Sequence, residues 1–312
     1  MMQGFVESQA DGWAHATDVL SRFYELAGAR QLPDGPQPVT FAEMLEAEPS
    51  RAIEDVMSGY FGPAQMLGRR TGEVHLALAS DSSQPAFAPE TFTKEDLSAV
   101  TTDAAAHAHR ALDTLQSALE PGAARPLPED LEEQARALLE ARERLMDQIR
   151  HAPALEFNVS KIRVHGDYHL GQVLWAEGDF YILDFEGEPA RPITQRREKQ
   201  SPLKDVAGML RSFSYAAYAG LFTHTMARPD QFAHMEPWAR LWQTWACVAF
   251  LKGYFHAAGS AMFIPAEPSQ RDTLLRLFVL DKALYELNYE LNNRPDWVRI
   301  PIKGILDILD TA

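Results

Sequence analysis

Two neighbouring stretches decide how this chain reads: VHGDYHLGQVL at 164–174 and ILDFE at 182–186. In the first, glycines at 166 and 171 flank Asp167 and His169, which reads as a polar turn. Gln172–Trp175 and Phe180–Leu183 then read as two strands joined by a tight turn at Ala176–Asp179, with Gly178 supplying the bend. A polar loop thus precedes a hairpin whose second strand ends on a carboxylate, Asp184. Phosphoryl transfer to a hydroxyl uses such an arrangement. One Asp accepts the hydroxyl proton, while a second carboxylate and an amide oxygen hold a divalent cation on the phosphates. Asp167 suits the first role. Asp184 suits the second, together with Gln172, five residues after Asp167.

A different chemistry competes for the same residues. His165, Asp167 and His169 alternate, and on a strand they would share one face as the ligands of a metal-dependent hydrolase do. The two glycines favour a loop instead, and no further His/Asp cluster with ligand spacing accompanies them. His151, His224, His234 and His256 are scattered over helical segments and read as packed or surface residues.

Helices resume near Pro202 and run to the end. Asp205 falls in a first helical turn, where the helix dipole favours an acidic residue. Arg191, Arg196, Arg197, Lys199 and Lys204 form a basic cluster after Asp184, read either as a solvated loop or as an offset to phosphate charge. Trp238, Trp242 and Trp245 recur at helical spacing and read as core. Late in the chain, Leu277, Leu280, Leu284, Leu287 and Leu291 make an apolar stripe. Asp281, Tyr285, Asn288, Tyr289 and Asn292 make the polar and aromatic face beside it. Sugars are held by such groups, because a ring packs on the pyranose C–H face while carboxylates and amides accept hydroxyl hydrogens. Glu286 either joins this face or pairs with Lys282 at i, i+4.

The first half reads as helical. Met2–Val6 suggests a short strand, and Asp11 an N-cap for a helix over Ala14–Leu26. A loop spans Arg30–Val39. Helix follows from Phe41 to Ala79, with breaks expected near Glu48–Ser50 and Gly62–Pro63. After a loop over Ser80–Phe92, Thr93 caps a helix to Leu119. Beyond Pro121–Pro128, one charged helix places Leu131, Ala135, Leu138, Leu145 and Ile149 on a single stripe. Ile162–Val164 reads as a strand, and a soft boundary falls near Pro153. The class expected is mainly α with a small β-hairpin.

Composition removes several alternatives. The 312 residues are 46% hydrophobic and 23% charged, as in ordinary soluble proteins. Acidic residues outnumber basic ones 44 to 29, a net charge of −15, so there is no basic footprint for nucleic acid and an anionic membrane would repel the chain. The single cysteine, Cys247, excludes a disulfide framework and a cysteine-built zinc site. The first residues do not read as a signal peptide, and no apolar run is long enough to span a bilayer. The expectation is a cytoplasmic protein that binds neither nucleic acid nor membrane.

The segments HGDYHLGQVL (165–174), DFEGEPARP (184–192), RREKQSPLKDVAGMLRSFSYAA (196–217), LDKALYELNYELNNRPDW (280–297) and MQGFVESQADGW (2–13) together resemble the aminoglycoside-phosphotransferase-like branch of the protein-kinase-like fold. More narrowly they resemble the maltokinase family, standalone or fused to trehalose synthase. The resemblance implies ATP and Mg²⁺ as cofactors, maltose as acceptor and maltose 1-phosphate as product. It implies Asp167 as catalytic base and Gln172 and Asp184 as metal ligands, with Glu186 a second acidic contributor. His165 would brace the loop, and Asp205 would accept hydrogen bonds from the loop backbone. Asp281, Tyr285, Glu286, Tyr289 and Asn292 would hold the sugar.

No G-x-G-x-x-G and no strand-rich lobe precede Asp167. The chain is therefore expected to be a kinase C-lobe without its N-lobe. Residues 1–8 would be a hinge remnant, 9–155 a helical intermediate part, and 156–312 the catalytic loop, hairpin and terminal helices. An N-lobe or a trehalose synthase domain, in cis or in trans, is the partner this implies. Two other readings stay open: a non-catalytic sugar-binding or interaction module associated with trehalose synthase, and a related small-molecule kinase with another acceptor.

Overall fold

Asp11 opens the first helix as its sequence position suggests, its carboxylate accepting the Ala14 N–H at 2.7 Å. Such a cap is worth about 1 kcal/mol. The computed structural model describes Gly4 and residues 6–35, 37–151, 158–189 and 191–311. Most of the strand expected over Met2–Val6, part of the hinge remnant at 1–8 and the boundary near Pro153 lie outside the described residues.

In chain order the elements begin with β1 (Ala10–Asp11), α1 (Gly12–Ala27), α2 (Phe41–Glu46), α3 (Arg51–Met57) and α4 (Phe61–Leu78). Then come β2 (Glu90–Thr91), α5 (Lys94–Ala118), α6 (Glu132–Glu140) and α7 (Arg142–His151). The second half holds β3 (Ser160–Lys161), β4 (Val173–Ala176), β5 (Asp179–Ile182), α8 (Ile193–Arg196), α9 (Leu203–Thr225), α10 (Phe232–Ala258), α11 (Pro268–Asn293) and α12 (Arg299–Asp310). Mainly α with a small hairpin is the class observed.

Contacts divide the chain into two units, and neither is continuous in sequence. One comprises residues 1–90 and 159–266, the other 91–158 and 267–312.

In the first unit, α4 packs along α10, and the two backbones touch at two glycines. A Cβ on Gly68 would overlap the Phe250 carbonyl, and one on Gly253 would overlap the Gln65 carbonyl. Glycine is required at both positions because backbone meets backbone. The tryptophan stripe is core as expected. Trp238 packs edge-on to Phe23 at 6.0 Å, and Trp242 lies 4.8 Å from Tyr60. Cys247 is buried, which pushes its thiol up to about 12 and leaves it inert at neutral pH.

In the second unit, Thr93 and Asp96 form a reciprocal capping box at the start of α5. The stripe Leu131, Ala135, Leu138, Leu145 and Ile149 is buried throughout.

Several expectations are corrected. The second break in the 41–79 stretch falls at Ser58–Tyr60, and Gly62 and Pro63 lie inside the first turn of α4. Proline is tolerated there because first-turn N–H groups have no intrahelical acceptor. The charged segment is two helices, α6 and α7, separated at Ala141. Ile162–Val164 is not a strand. Ser160–Lys161 is, and Ile162 makes one isolated antiparallel bridge with Gln200. Gln172 belongs to a 3₁₀ turn, Leu170–Gln172, rather than to the strand that follows.

Candidate active site

The hairpin turns on Glu177 and Gly178, both at positive φ (53° and 79°), the pattern of a type I′ loop whose twist suits antiparallel strands. β4 and β5 pair with Val173 opposite Ile182 and Ala176 opposite Asp179. β1 adds a third strand on the other edge of β4, with Ala10 opposite Trp175. The ladder extends one step further, because the Leu183 N–H donates to the Gln172 carbonyl at 2.9 Å. That bond brings the residues at the open end of the hairpin together, and Gln172 Nε2 donates to Asp184 Oδ2 at 3.3 Å. Asp184 itself sits at φ 58°, a left-handed conformation that Asp tolerates better than most residues.

The outer end of the hairpin is pinned to α4. Arg70 grips the Asp179 carboxylate with two hydrogen bonds, Nε to Oδ1 at 2.8 Å and Nη2 to Oδ2 at 2.6 Å. This fork holds the Asp179 carboxyl below the usual range.

The loop before the hairpin is shaped mainly from behind. Asp205, buried in the first turn of α9, accepts the His165 N–H at 2.7 Å and the Gly166 N–H at 2.9 Å. Burial pushes its carboxyl up, but the hydrogen bonds from His75 and the Gly166 N–H hold it below the ordinary value. His165 is buried, and its Nε2 lies 2.7 Å from the Leu183 carbonyl, which ties the loop to the end of β5. Gly166 is at φ 87°, and a Cβ there would come within 3.3 Å of Gly187 Cα. Ser212 accepts the Leu170 N–H at 3.0 Å, and Gly208 lets α9 approach so closely that a Cβ would stand 2.5 Å from the Tyr168 carbonyl. Asp167 is half-buried at the turn of this loop, its N–H 3.3 Å from His165 Nδ1.

The alternating residues His165, Asp167 and His169 do not converge as metal ligands. His165 is bound to Leu183, and His169 Nδ1 accepts the Gly171 N–H at 3.0 Å. Among the described residues no group of three or more His, Cys, Asp or Glu could hold a metal ion, so Asp167, Asp184 and Glu186 do not form one. Gln172 and Asp184 do come together, and an amide oxygen with a carboxylate suits Mg²⁺, which keeps most of its shell for water and phosphate. Glu186 is exposed on the turn that follows.

In the basic segment, Arg196 donates to the carbonyls of Arg191 and Pro189 at 2.7 Å each, and Arg191 pairs with Glu188 at 2.9 Å. Lys199 bonds the Pro85 carbonyl and Glu90. Much of the cluster is thus spent on folding its own loop. Burial and the charge of Arg197 both lower the pKa of Arg163.

The face expected to hold sugar lies in the second unit. Asp281 Oδ1 is 2.6 Å from His107 Nδ1, and Asn288 Oδ1 accepts from the Thr114 hydroxyl at 3.1 Å, so α5 engages part of it. Tyr285 meets the His107 ring edge-on at 5.8 Å and carries the Lys282 ammonium 5.2 Å from its centroid. Asn292 donates to the Asn288 carbonyl at 2.7 Å. Glu286 is buried, whereas Tyr289 is 46% exposed, with the Arg294 guanidinium 5.6 Å from its ring.

Sequence reasoning missed the helices behind the loop. His75 of α4 places Nε2 3.2 Å from Asp205 Oδ2 and Nδ1 3.1 Å from the Tyr254 hydroxyl of α10. Thr71 meets the Tyr168 hydroxyl at 2.8 Å. His75 and Asp205 are 130 positions apart, and no local pattern joins them.

The chain is 27% identical over 299 residues to the glucosamine kinase of Streptacidiphilus jiangxiensis, matching 90% of this chain and 60% of that protein. A 146-residue stretch, 47% of this chain, is 30% identical to the glucosamine kinase of Mycolicibacterium smegmatis and covers 34% of it. Among solved structures, a glucosamine kinase in complex with glucosamine, ADP and inorganic phosphate superposes with a TM-score of 0.67 at 25% identity, over 97% of this chain and 61% of that one. A second glucosamine kinase crystal structure gives 0.69 at 24% identity, over 98% and 57%. No family profile matches. The chain therefore shares the fold of these proteins and spans at most 60% of the length of these curated relatives. Both relatives carry the name of glucosamine kinase, not of maltokinase. Among the described residues no helix is long and apolar enough to cross a membrane.

Proposed function

We propose that this chain carries the catalytic loop of an ATP-dependent sugar kinase. The observation that supports it best is the loop itself: Asp167 is held on a backbone clamped by Asp205, beside a hairpin end where Gln172 meets Asp184. The likeness to one glucosamine kinase over 90% of the chain points the same way.

In this reading Asp167 accepts the proton of a sugar hydroxyl as its oxygen attacks the γ-phosphorus of ATP. A new P–O bond forms, the bond to the β-phosphate oxygen breaks, and ADP leaves with that electron pair. Gln172 and Asp184 would hold Mg²⁺, which supplies charge neutralisation at the phosphates. Asp205 keeps the loop backbone in shape through the His165 and Gly166 N–H groups and moves no proton itself.

The acceptor is a sugar hydroxyl. Glucosamine is the first candidate, by likeness to the relatives, and maltose the second, by the 280–297 segment. A glycine-rich nucleotide lobe, in cis or in trans, would supply the groups that cover ATP; a trehalose synthase domain is the other partner the resemblance implies.

The test is phosphate transfer from γ-labelled ATP to a panel of glucosamine, maltose, glucose and aminoglycosides, with Asp167→Asn as control. Transfer to one sugar, abolished in Asp167→Asn with sugar binding retained, is the expected result. Turnover by Asp167→Asn would remove Asp167 from its role. Sugar binding with no transfer under any partner condition would make the chain a sugar-binding module instead.

A further inference from the structure

We propose that His75 is a positioning residue for the catalytic loop, acting through Asp205, with Tyr254 setting its tautomer; this rests on the kinase reading above. His75 lies on α4, is 2% exposed and touches none of the groups assigned to the reaction. Its two ring nitrogens are both engaged. Nε2 is 3.2 Å from Asp205 Oδ2, and Nδ1 is 3.1 Å from the Tyr254 hydroxyl. A carboxylate only accepts, so Nε2 carries the hydrogen in a neutral ring and Nδ1 accepts from the tyrosine. The Tyr254 hydroxyl can donate or accept, and opposite an Nε2–H tautomer it is the donor to Nδ1.

Asp205 Oδ2 is shared between His75 and the His165 N–H at 2.7 Å, while Oδ1 takes the Gly166 N–H. Three donors from two sources therefore orient one buried carboxylate. Two of them come from the loop that Asp205 must position. Without His75 the Asp205 side chain, anchored through its own backbone in α9, has only the two loop N–H groups as donors, and carboxylate and loop can shift together about its side-chain torsions. His75 gives Asp205 a reference outside the loop.

That reference is rigid because α4 and α10 meet backbone to backbone at Gly68 and Gly253, with Gly72 against Ala257. The Thr71 hydroxyl adds a second tie from α4, at 2.8 Å to the Tyr168 hydroxyl next to Asp167. Both ties leave the same helix one turn apart, so α4 sets where Asp167 stands.

The test is His75→Ala, His75→Gln and Tyr254→Phe in the full chain. Two quantities are read: kcat against KM, and hydrogen exchange at the His165 and Gly166 amides. His75→Ala is expected to lower kcat roughly tenfold with KM for sugar and ATP nearly unchanged. It should also speed exchange at both amides. His75→Gln keeps a donor of similar reach and should recover most of both. Tyr254→Phe should shift both in the same direction by less, and it preserves ring volume if His75→Ala fails to fold. Unchanged exchange and unchanged kcat in a folded His75→Ala or Tyr254→Phe overturn the proposal. Faster exchange in a protein whose parent transfers no phosphate would sustain the positioning role and remove the kinase reading instead.

Discussion

Gln172 Nε2 donates to Asp184 Oδ2 at 3.3 Å, joining two residues twelve positions apart at the open end of the hairpin. The ladder bond from Leu183 to Gln172 makes the pair possible. Neither residue is placed by a strand of its own. Their meeting depends on the register of β4 and β5, and a slip of one residue would point Asp184 elsewhere.

Asp184 at φ 58° separates fold from chemistry. Asp184→Asn should keep stability near that of the parent, because Asn also accepts the left-handed region. It should still lower phosphotransfer by roughly two to three orders of magnitude. Asp184→Val should cost about 1–2 kcal/mol in addition, read by urea unfolding. Equal stability of the two variants would contradict the strained geometry.

The α4–α10 contact predicts a contrast between two glycines of one helix. Gly68→Ala forces a methyl into the Phe250 carbonyl and should destabilise by about 3 kcal/mol or more. Gly62→Ala meets nothing within 4 Å in the first turn of α4 and should stabilise by about 0.5 kcal/mol. Thermal or urea unfolding of the two variants checks both signs.

The Arg70–Asp179 fork makes stability depend on acid. Hydrogen bonds from Arg70 lower the Asp179 pKa in the folded state. The unfolded chain therefore takes up the proton first as pH falls. The stabilisation is fully present above the unfolded value, near about 4, and is lost as pH drops through the folded pKa. Asp179→Asn should be less stable than the parent by about 1 kcal/mol at pH 7, with the gap closing below pH ~4. A gap that widens on acidification would reverse the assignment.

Tyr289 offers the most direct test of whether the Asp281–Asn292 face holds sugar, since it is 46% exposed and its removal opens no core. Tyr289→Ala should raise KM for the acceptor several-fold, with stability within about 0.5 kcal/mol of the parent. A KM unchanged for every accepted sugar would remove it from the acceptor site.

Local signals were the legible part. Asp11 and Thr93 are caps where the sequence puts them, because a cap is a bond between residues three apart. The hairpin is legible for the same reason: Gly178 and its neighbours need only their own backbone to turn. The tryptophan stripe and the leucines of α11 are buried because helical spacing sorts apolar side chains to one face. The break at Gly62–Pro63 was misplaced because proline reads as a stop until the helix's first residue is known.

What the sequence by itself determined is the chemistry on offer: Asp167, Gln172 and Asp184 within one loop and hairpin, on a mainly helical frame. Only the tertiary structure decided how that chemistry is held. Asp205 reads equally well as a first-turn acid until the backbone of His165 and Gly166 is found on its oxygens. His75, Thr71 and Tyr254 carry no motif, and they reach the loop because Gly68 and Gly253 let α4 and α10 touch. Short-range hydrogen bonds and side-chain periodicity are written along the chain. A buried carboxylate's partners are set by which helices pack together, and that is a property of the whole core.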